Sequence, residues 1–325
     1  MDMQYRRLGK SGLQVSALSF GSWVTFGAQV GDDTAEKCMK LAYDNGVNFF
    51  DNAEAYASGK SEVVMGNILK KTGWDRSSYI VSTKVFWGGK KPTQLGLSRK
   101  HIVDACNNGL SRLQVDYLDL YFCHRPDPNT PIEETVRAMH DLITQGKVLY
   151  WGTSEWSAEQ IHEAHRVAKE HNLHAPAMEQ PQYNLFERKR FEQEYAPLYA
   201  QYGMGTTIWS PTASGYLTGK YDNGVPAETR IDRPGMDWLK DRLVGTGAGD
   251  KQAKSKQFSA LAKELGTSPA KLSVAWVLKN PNVSTAILGA SKVEQLEENL
   301  KALDVLPLLT DEVMKTIEGI FQNKP

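Results

Sequence analysis

Short apolar runs that stop abruptly at a polar side chain recur along this chain, separated by stretches with apolar positions at helical spacing. Residues 47–50 run into Asp51, with Tyr56 five positions beyond; residues 79–83 run into Lys84, and 117–123 into His124. Short apolar runs bounded by turn residues predict buried strands. Five more follow the same pattern. They are 15–20 (ending at Gly21-Ser22-Trp23), 148–152 (Thr153-Ser154-Glu155-Trp156), 177–180, 205–209 (Ser210-Pro211) and 283–288 (Gly289-Ala290-Ser291).

Helical patterns fill the intervals. Asp33 with Glu36 predicts a capping-box-like start for a helix that stops at Asn45-Gly46. Residues 61–71 place Val63, Val64, Ile68 and Leu69 on one face. Further helices are expected over 98–113, from Pro131 at the first helical position to Gln145-Gly146, and over 158–171, 191–202, 254–265 and 269–279. Two more close the chain, the first over 292–302. Residues 4–8 and 13–15 flank Gly9-Lys10-Ser11-Gly12 and read as a hairpin ahead of the first core strand. A long connection, 212–250, carries Gly215, Gly219, Gly224, Gly235 and the run Gly245-Thr246-Gly247-Ala248-Gly249.

Eight strands, mostly followed by helices, predict a (β/α)8 TIM barrel with an N-terminal β-hairpin and extra C-terminal helices, one domain over residues 1–325. A doubly wound sheet would normally show a glycine fingerprint after its first strand. Gly21-Ser22-Trp23 is not one, and the 245–249 run follows no strand.

Charge changes the picture mainly by exclusion. Lys and Arg number 38 and Asp and Glu 38, so no field favours nucleic acid or an anionic membrane. No apolar run is long enough to span a bilayer and no signal peptide precedes the first strand, so no membrane insertion is expected. Cys38, Cys106 and Cys123 are odd in number and too far apart for zinc pairs. They read as reduced thiols of a cytoplasmic protein. His162 and His165 share a helix face but have no carboxylate or cysteine set beside them, so no metal is expected.

In a barrel, strand ends are where chemistry is done. Asp51, Tyr56, Lys84 and His124 therefore suggest a proton-transfer site. An ammonium beside a phenol favours the phenolate and lowers its pKa, and a carboxylate steadies the ammonium. The set would make an acid for a carbonyl oxygen, which His124 would polarise. Taken singly, Asp51 and Lys84 read more readily as a structural ion pair and Tyr56 as packing; it is the joint occurrence of all four at strand ends that favours a site. Trp23, Trp87 and Trp156 follow strands one, three and five and are expected to form a substrate wall with Tyr56 and His124, the alternative being simple packing at the barrel mouth.

The chain resembles the aldo-keto reductase superfamily, and more narrowly the branch that includes the β subunits of voltage-gated potassium channels and their plant and bacterial reductase relatives. The resemblance runs from Tyr5-Arg6-Arg7-Leu8-Gly9 to the last helix. It rests on Trp23-Val24-Thr25-Phe26-Gly27, Phe86-Trp87-Gly88-Gly89, Gly96-Leu97-Ser98-Arg99-Lys100-His101, Arg125-Pro126-Asp127-Pro128-Asn129-Thr130-Pro131, Tyr150-Trp151-Gly152-Thr153-Ser154 and Trp209-Ser210-Pro211. It implies a barrel that binds NADP(H) without a Rossmann domain, with Asp51, Tyr56, Lys84 and His124 as the catalytic tetrad. It implies that Ser154 and Gln180 hold the nicotinamide amide and Trp209 stacks on its ring, with Ser22, Trp23 and Asp51 on the same side. Ser210, Pro211, Thr212, Ala213, Ser214, Gly215 and Lys220 would border the pyrophosphate. Gly289, Ser291, Gln295, Glu298 and Asn299 would hold the adenosine end, with Arg230 reaching over its phosphate. A helix start beyond Ser291 suits a phosphate, though Ser291 also reads as a plain N-cap.

Channel β subunits carry an amide where this chain has His124 and a basic residue where it has Glu155. The histidine favours a working reductase of aldehydes and ketones. The alternatives are a channel β-subunit-like interaction or redox-sensing protein and, from Lys84 alone, a Schiff-base aldolase. Channel β subunits are tetramers, so a homo-oligomer, tetramer or larger, is expected by analogy.

Overall fold

The computed structural model describes residues 2–23, 26–27, 31–222 and 249–325. Strands β1 (Tyr5–Arg7) and β2 (Gln14–Ser16) pair antiparallel, with Tyr5 opposite Ser16. The next eight strands are all parallel: β3 (Leu18–Gly21), β4 (Phe49–Asp51), β5 (Ile80–Val85), β6 (Leu118–Cys123), β7 (Val148–Thr153), β8 (Met178–Glu179), β9 (Gly205–Ile208) and β10 (Thr285–Leu288). They run in sequence order round a closed barrel, β10 returning to β3 with Ala286 opposite Leu18. Strands covered on both faces need apolar or internally satisfied side chains at every position. Every residue of β5 and β6 is accordingly buried.

Helices α1 (Asp32–Asp44), α2 (Lys60–Thr72), α3 (Arg99–Leu113), α4 (Ile132–Thr144), α5 (Ala158–Glu170) and α6 (Ala196–Tyr202) follow successive strands. After them come α7 (Lys251–Glu264), α8 (Pro269–Lys279), α9 (Val293–Leu300) and α10 (Asp311–Phe321). Ser98, Ser157, Ser268 and Thr310 cap their helices through side-chain oxygens. The hairpin lies under the barrel. Leu8 and Val15 are completely buried against Phe49, Ile80 and Met178, the first residues of their strands. Lys10 donates its amide to Gly203 O at 2.8 Å, just ahead of β9. The bottom is thereby closed, and the strand ends with polar side chains face the other way.

Several local expectations give way. Helix α1 begins at Asp32 with no side-chain cap, and Glu36 pairs instead with Lys40 and Lys71 at 2.7 and 2.8 Å. The buried face of α2 is Met65, Ile68 and Leu69, while Val63 is exposed. A Cβ at Gly66 would stand 2.3 Å from Arg112 O, and this close approach to α3 sets the helix rotation. Pro131 caps α4 rather than starting it. The expected helix over 191–202 is a wide turn, Arg190–Glu194, followed by α6, because Pro197 has no amide to continue one ladder. Of the long connection, the structure describes the short turn Ala213–Thr218. Residues 223–248, with Arg230 and most of the 245–249 run, lie outside the described residues. Among the described residues no helix is long and apolar enough to cross a membrane, no group of acidic, His or Cys residues could hold a metal, and the three cysteines are unpaired and buried.

Candidate active site

Asp51 is the last residue of β4, Lys84 lies near the end of β5, His124 directly follows β6, and Tyr56 opens the turn Tyr56–Gly59 beyond β4. The structure brings all four together. Lys84 Nζ donates to Asp51 Oδ2 at 2.6 Å, to Asn52 O at 2.8 Å and to the Tyr56 hydroxyl oxygen at 3.3 Å. Asp51 Oδ1 accepts from Ser82 Oγ at 2.7 Å and from Gln180 Nε2 at 3.1 Å. The Tyr56 and His124 rings meet edge-on with centroids 5.8 Å apart. Ala57 and Ser58 take left-handed backbone at φ 49° and 54°, a conformation side chains disfavour, and this tight reversal turns Tyr56 back over Lys84.

Electrostatics follow from burial and neighbours. Burial works to strip Lys84 of its proton, but the charges of Asp51 and Tyr56 and their hydrogen bonds outweigh it and keep the ammonium above the ordinary lysine range. Burial raises the Tyr56 phenol above its usual range, and Lys84 pulls it only part of the way back. The expected net lowering is therefore not found, because the half-buried phenol loses more to desolvation than one ammonium returns. Burial, then Lys84 and Arg125, hold His124 well below the usual imidazole range, so it is neutral. Its Nδ1 is buried without a hydrogen-bond partner, as is Ser22 Oγ. Two orphaned polar atoms beside the tetrad are what a site that receives a polar ligand leaves behind.

The residues expected around a nucleotide lie at the same end of the barrel. Ser154 Oγ donates to Gln180 O at 2.8 Å and receives Arg125 Nη1 at 3.3 Å. The Gln180 amide nitrogen donates to Asp51 Oδ1 at 3.1 Å and to Thr207 Oγ1 at 3.2 Å. Ser210, Ala213, Ser214 and Gly215 all take positive φ, so the 210–215 turn is tightly wound beside the half-buried Trp209. Pro211 is buried, Thr212 half-buried, and Lys220 lies across Gly215, where a Cβ would meet its Nζ at 2.4 Å. Gly289, Ser291, Gln295 and Glu298 are exposed and Asn299 half-buried. Ser291 is not the N-cap of α9, a position that Lys292 takes. Its amide and hydroxyl both approach Gln295 Oε1 at 3.1 Å.

The three tryptophans part company. Trp87 is well exposed, its ring 5.0 Å from His124 and Arg125 lying over it at 5.5 Å. Trp23 is half-buried. Trp156 is 1% exposed and packs in the apolar core, so it offers almost no open face. One contact was beyond sequence reasoning. Glu155 Oε1 accepts from Trp209 Nε1 at 3.0 Å and from Gln182 N at 2.6 Å, and its other oxygen takes Arg190 Nη1 at 2.5 Å. The acid thus braces the Trp209 ring across 54 positions, a separation at which no local signal exists.

A model of the aldo/keto reductase family matches residues 17–322. A protein of Oryza sativa subsp. japonica named as a probable voltage-gated potassium channel subunit beta is 52% identical over 324 residues, covering 99% of this chain and 98% of its own length.

Proposed function

This chain belongs to the aldo/keto reductase family, a family of oxidoreductases, and from that premise we propose that it is an NADPH-dependent reductase of aldehydes and ketones. The observation that carries the reading is the Tyr56 oxygen at 3.3 Å from a buried Lys84 that is itself 2.6 Å from Asp51. When bound, NADPH would supply the hydride that the carbonyl carbon receives, leaving as NADP⁺. Tyr56 would give its proton to the carbonyl oxygen in the same step, so that C=O becomes CH–OH. Because Lys84 donates to the phenol oxygen, the phenol's own proton is free to point at substrate, and the ammonium steadies the phenolate as it forms. Neutral His124 offers an N–H to the carbonyl without competing for its proton. Ser154, Gln180 and Trp209 would hold the nicotinamide, the 210–215 turn with Lys220 the pyrophosphate, and Ser291, Gln295, Asn299 and Arg230 the adenosine phosphate. Trp23 and Trp87 would receive an aromatic or short apolar aldehyde.

The same reading makes residues 1–325 one catalytic domain, cytoplasmic in keeping with three unpaired cysteines, and a homo-oligomer by analogy with channel β subunits. A second reading is favoured by the name of the rice relative: a β-subunit-like protein whose cofactor signals rather than turns over. Fluorescence titration with NADPH followed by an aldehyde panel separates the two. Steady turnover of nitrobenzaldehyde supports the reductase, and tight NADPH binding without turnover the sensor. A charge-assisted phosphate contact is worth roughly 1.5–3 kcal/mol, so NADPH should bind at least about tenfold tighter than NADH. Arg230→Ala should narrow that gap by weakening NADPH; equal dissociation constants in the unmutated protein would remove the phosphate assignment.

A further inference from the structure

Beside the tetrad lies a second buried acid–imidazole pair that the proposed mechanism does not use. Glu54 and His101 are each almost fully buried, with His101 Nε2 3.2 Å from Glu54 Oε1. Each grips one end of the loop that carries Trp87. Glu54 Oε1 accepts the Phe86 amide at 2.8 Å, and His101 Nδ1 lies 2.8 Å from Gly96 O. The loop closes on itself between those anchors. Gly96 N donates to Phe86 O, Gly88 N donates to Gln94 O, and Trp87 bridges Leu95. Gly88 sits directly on the pair, since a Cβ there would lie 2.6 Å from Glu54 Oε2 and 2.7 Å from His101 Nε2.

We propose that Glu54 and His101 are positioning residues that clamp the loop of residues 86–97 and so hold Trp87 against His124 on the substrate side of the site. The proposal rests on the reductase reading for its substrate half alone. The ring's two nitrogens differ in their partners. A carbonyl only accepts, so Nδ1, bonded to Gly96 O, carries a proton; Nε2 makes no hydrogen bond but stands buried 3.2 Å from Glu54 Oε1, where the carboxylate charge favours a proton on it. The clamp as built is an imidazolium–carboxylate pair. Burial works against that charge, but the Glu54 carboxylate beside the ring, then the bond to Gly96 O, hold His101 above the usual imidazole range. The other charges facing it are engaged elsewhere. Lys100 pairs with Asp104 on α3, and Arg112 pairs with Glu62 of α2, while Lys90 and Lys91 on the loop are exposed. A cleft of about 340 Å³ lined by Gln94, Asp104 and Arg112 gives solvent protons a route to the pair. When pH rises through the His101 pKa, Nε2 loses its proton, its lone pair faces the carboxylate, and the loop is released.

The test uses the full-length protein and three readouts. Imidazole ¹⁵N NMR, assigned with His101→Gln, should show both ring nitrogens protonated at neutral pH. Hydrogen exchange of the Phe86 amide should speed up in His101→Gln. With NADPH saturating, loss of one aromatic contact corresponds to about a two- to tenfold rise in KM for nitrobenzaldehyde, with kcat little changed. KM for a short aliphatic aldehyde should stay put, which a general loss of structure would not allow. Glu54→Gln discriminates further. Its amide keeps an oxygen for Phe86 and pairs with a neutral imidazole, so KM should be near normal and its rise at alkaline pH abolished. A neutral His101 at pH 7, or unchanged Phe86 exchange and KM in His101→Gln, would overturn the clamp. If no aldehyde is reduced at all, the reductase reading and the role of Trp87 toward substrate fall together, while the NMR and exchange results still decide the clamp.

Discussion

Lys84 is fully buried, and a lone ammonium there would shed its proton. Asp51 prevents this, and the consequence reaches Tyr56 through the 3.3 Å contact. Tyr56→Phe should lower kcat by about 10²–10⁴-fold, the usual worth of general acid catalysis, with NADPH affinity unchanged. Near-normal turnover would remove the phenol from the mechanism. Since the phenol titrates above its ordinary value of about 10, kcat should stay level through neutral pH and fall only on the far alkaline side. Lys84→Met withdraws a neighbour that lowers the phenol, so it should slow turnover and push that limb higher still. Asp51→Asn acts on the same chain of contacts, and the double variant should therefore be less than additive in log kcat. Full additivity would mean that the carboxylate and the ammonium act independently. Of these residues the sequence showed the types and their places at strand ends. It did not show that burial would outweigh the ammonium at Tyr56, because enclosure is a property of the whole mouth rather than of the motif.

Strand β8 is only two residues long, yet its Glu179 ties three elements together. The carboxyl is completely buried, accepts the Thr153 hydroxyl and the Glu155 amide, and lies 3.4 Å from the Tyr195 hydroxyl. Burial pushes its pKa up to about 8, against about 4.3 in an unfolded chain. Between those values the folded state holds a proton that the unfolded state has released. Its contribution to stability is thus full below about pH 4.3 and lost as pH rises through about 8. Glu179→Gln removes the titration, so its Tm should fall less between pH 5 and 8 than that of the parent. A difference of about 1 kcal/mol would appear as roughly 2–4 °C, and parallel Tm curves would show that Glu179 stays ionised. The elements themselves were largely legible. Barrel strands have no solvent face, so each appears as an apolar run with a sharp polar stop. What escaped depended on neighbours. Val63 is apolar yet exposed because Gly66 lets α3 fix the rotation of α2, and Pro197 split a helix whose apolar spacing was otherwise continuous. Glu155 bracing Trp209 had no local signature, and Arg230 lies outside the described residues.

At the scale of the whole molecule the barrel separates stability from chemistry. Its lower end is shut by the hairpin through Leu8 and Val15, and the tetrad stands at the upper ends of the same strands. Phe49 and Asp51 show the division within one strand, the first residue in the lower apolar cluster and the last holding Lys84. In such barrels side chains at the lower face serve the fold and those at the upper face the reaction. The hairpin docks tightly. Gly9 has φ 56°, and a Cβ on it would stand 2.2 Å from Gly203 O, so the turn reaches the base of β9 only because nothing projects from it. Leu8→Ala empties a fully buried site and should destabilise the protein by about 2–5 kcal/mol, with a lower Tm. At a temperature where the variant is still folded, kcat and KM for NADPH and aldehyde should match the parent, because a packed core lies between Leu8 and Tyr56. A loss of kcat beyond the loss of folded protein would mean that strain at the bottom of β4 is transmitted to Asp51, and the two ends would then have to be treated as one cooperative unit.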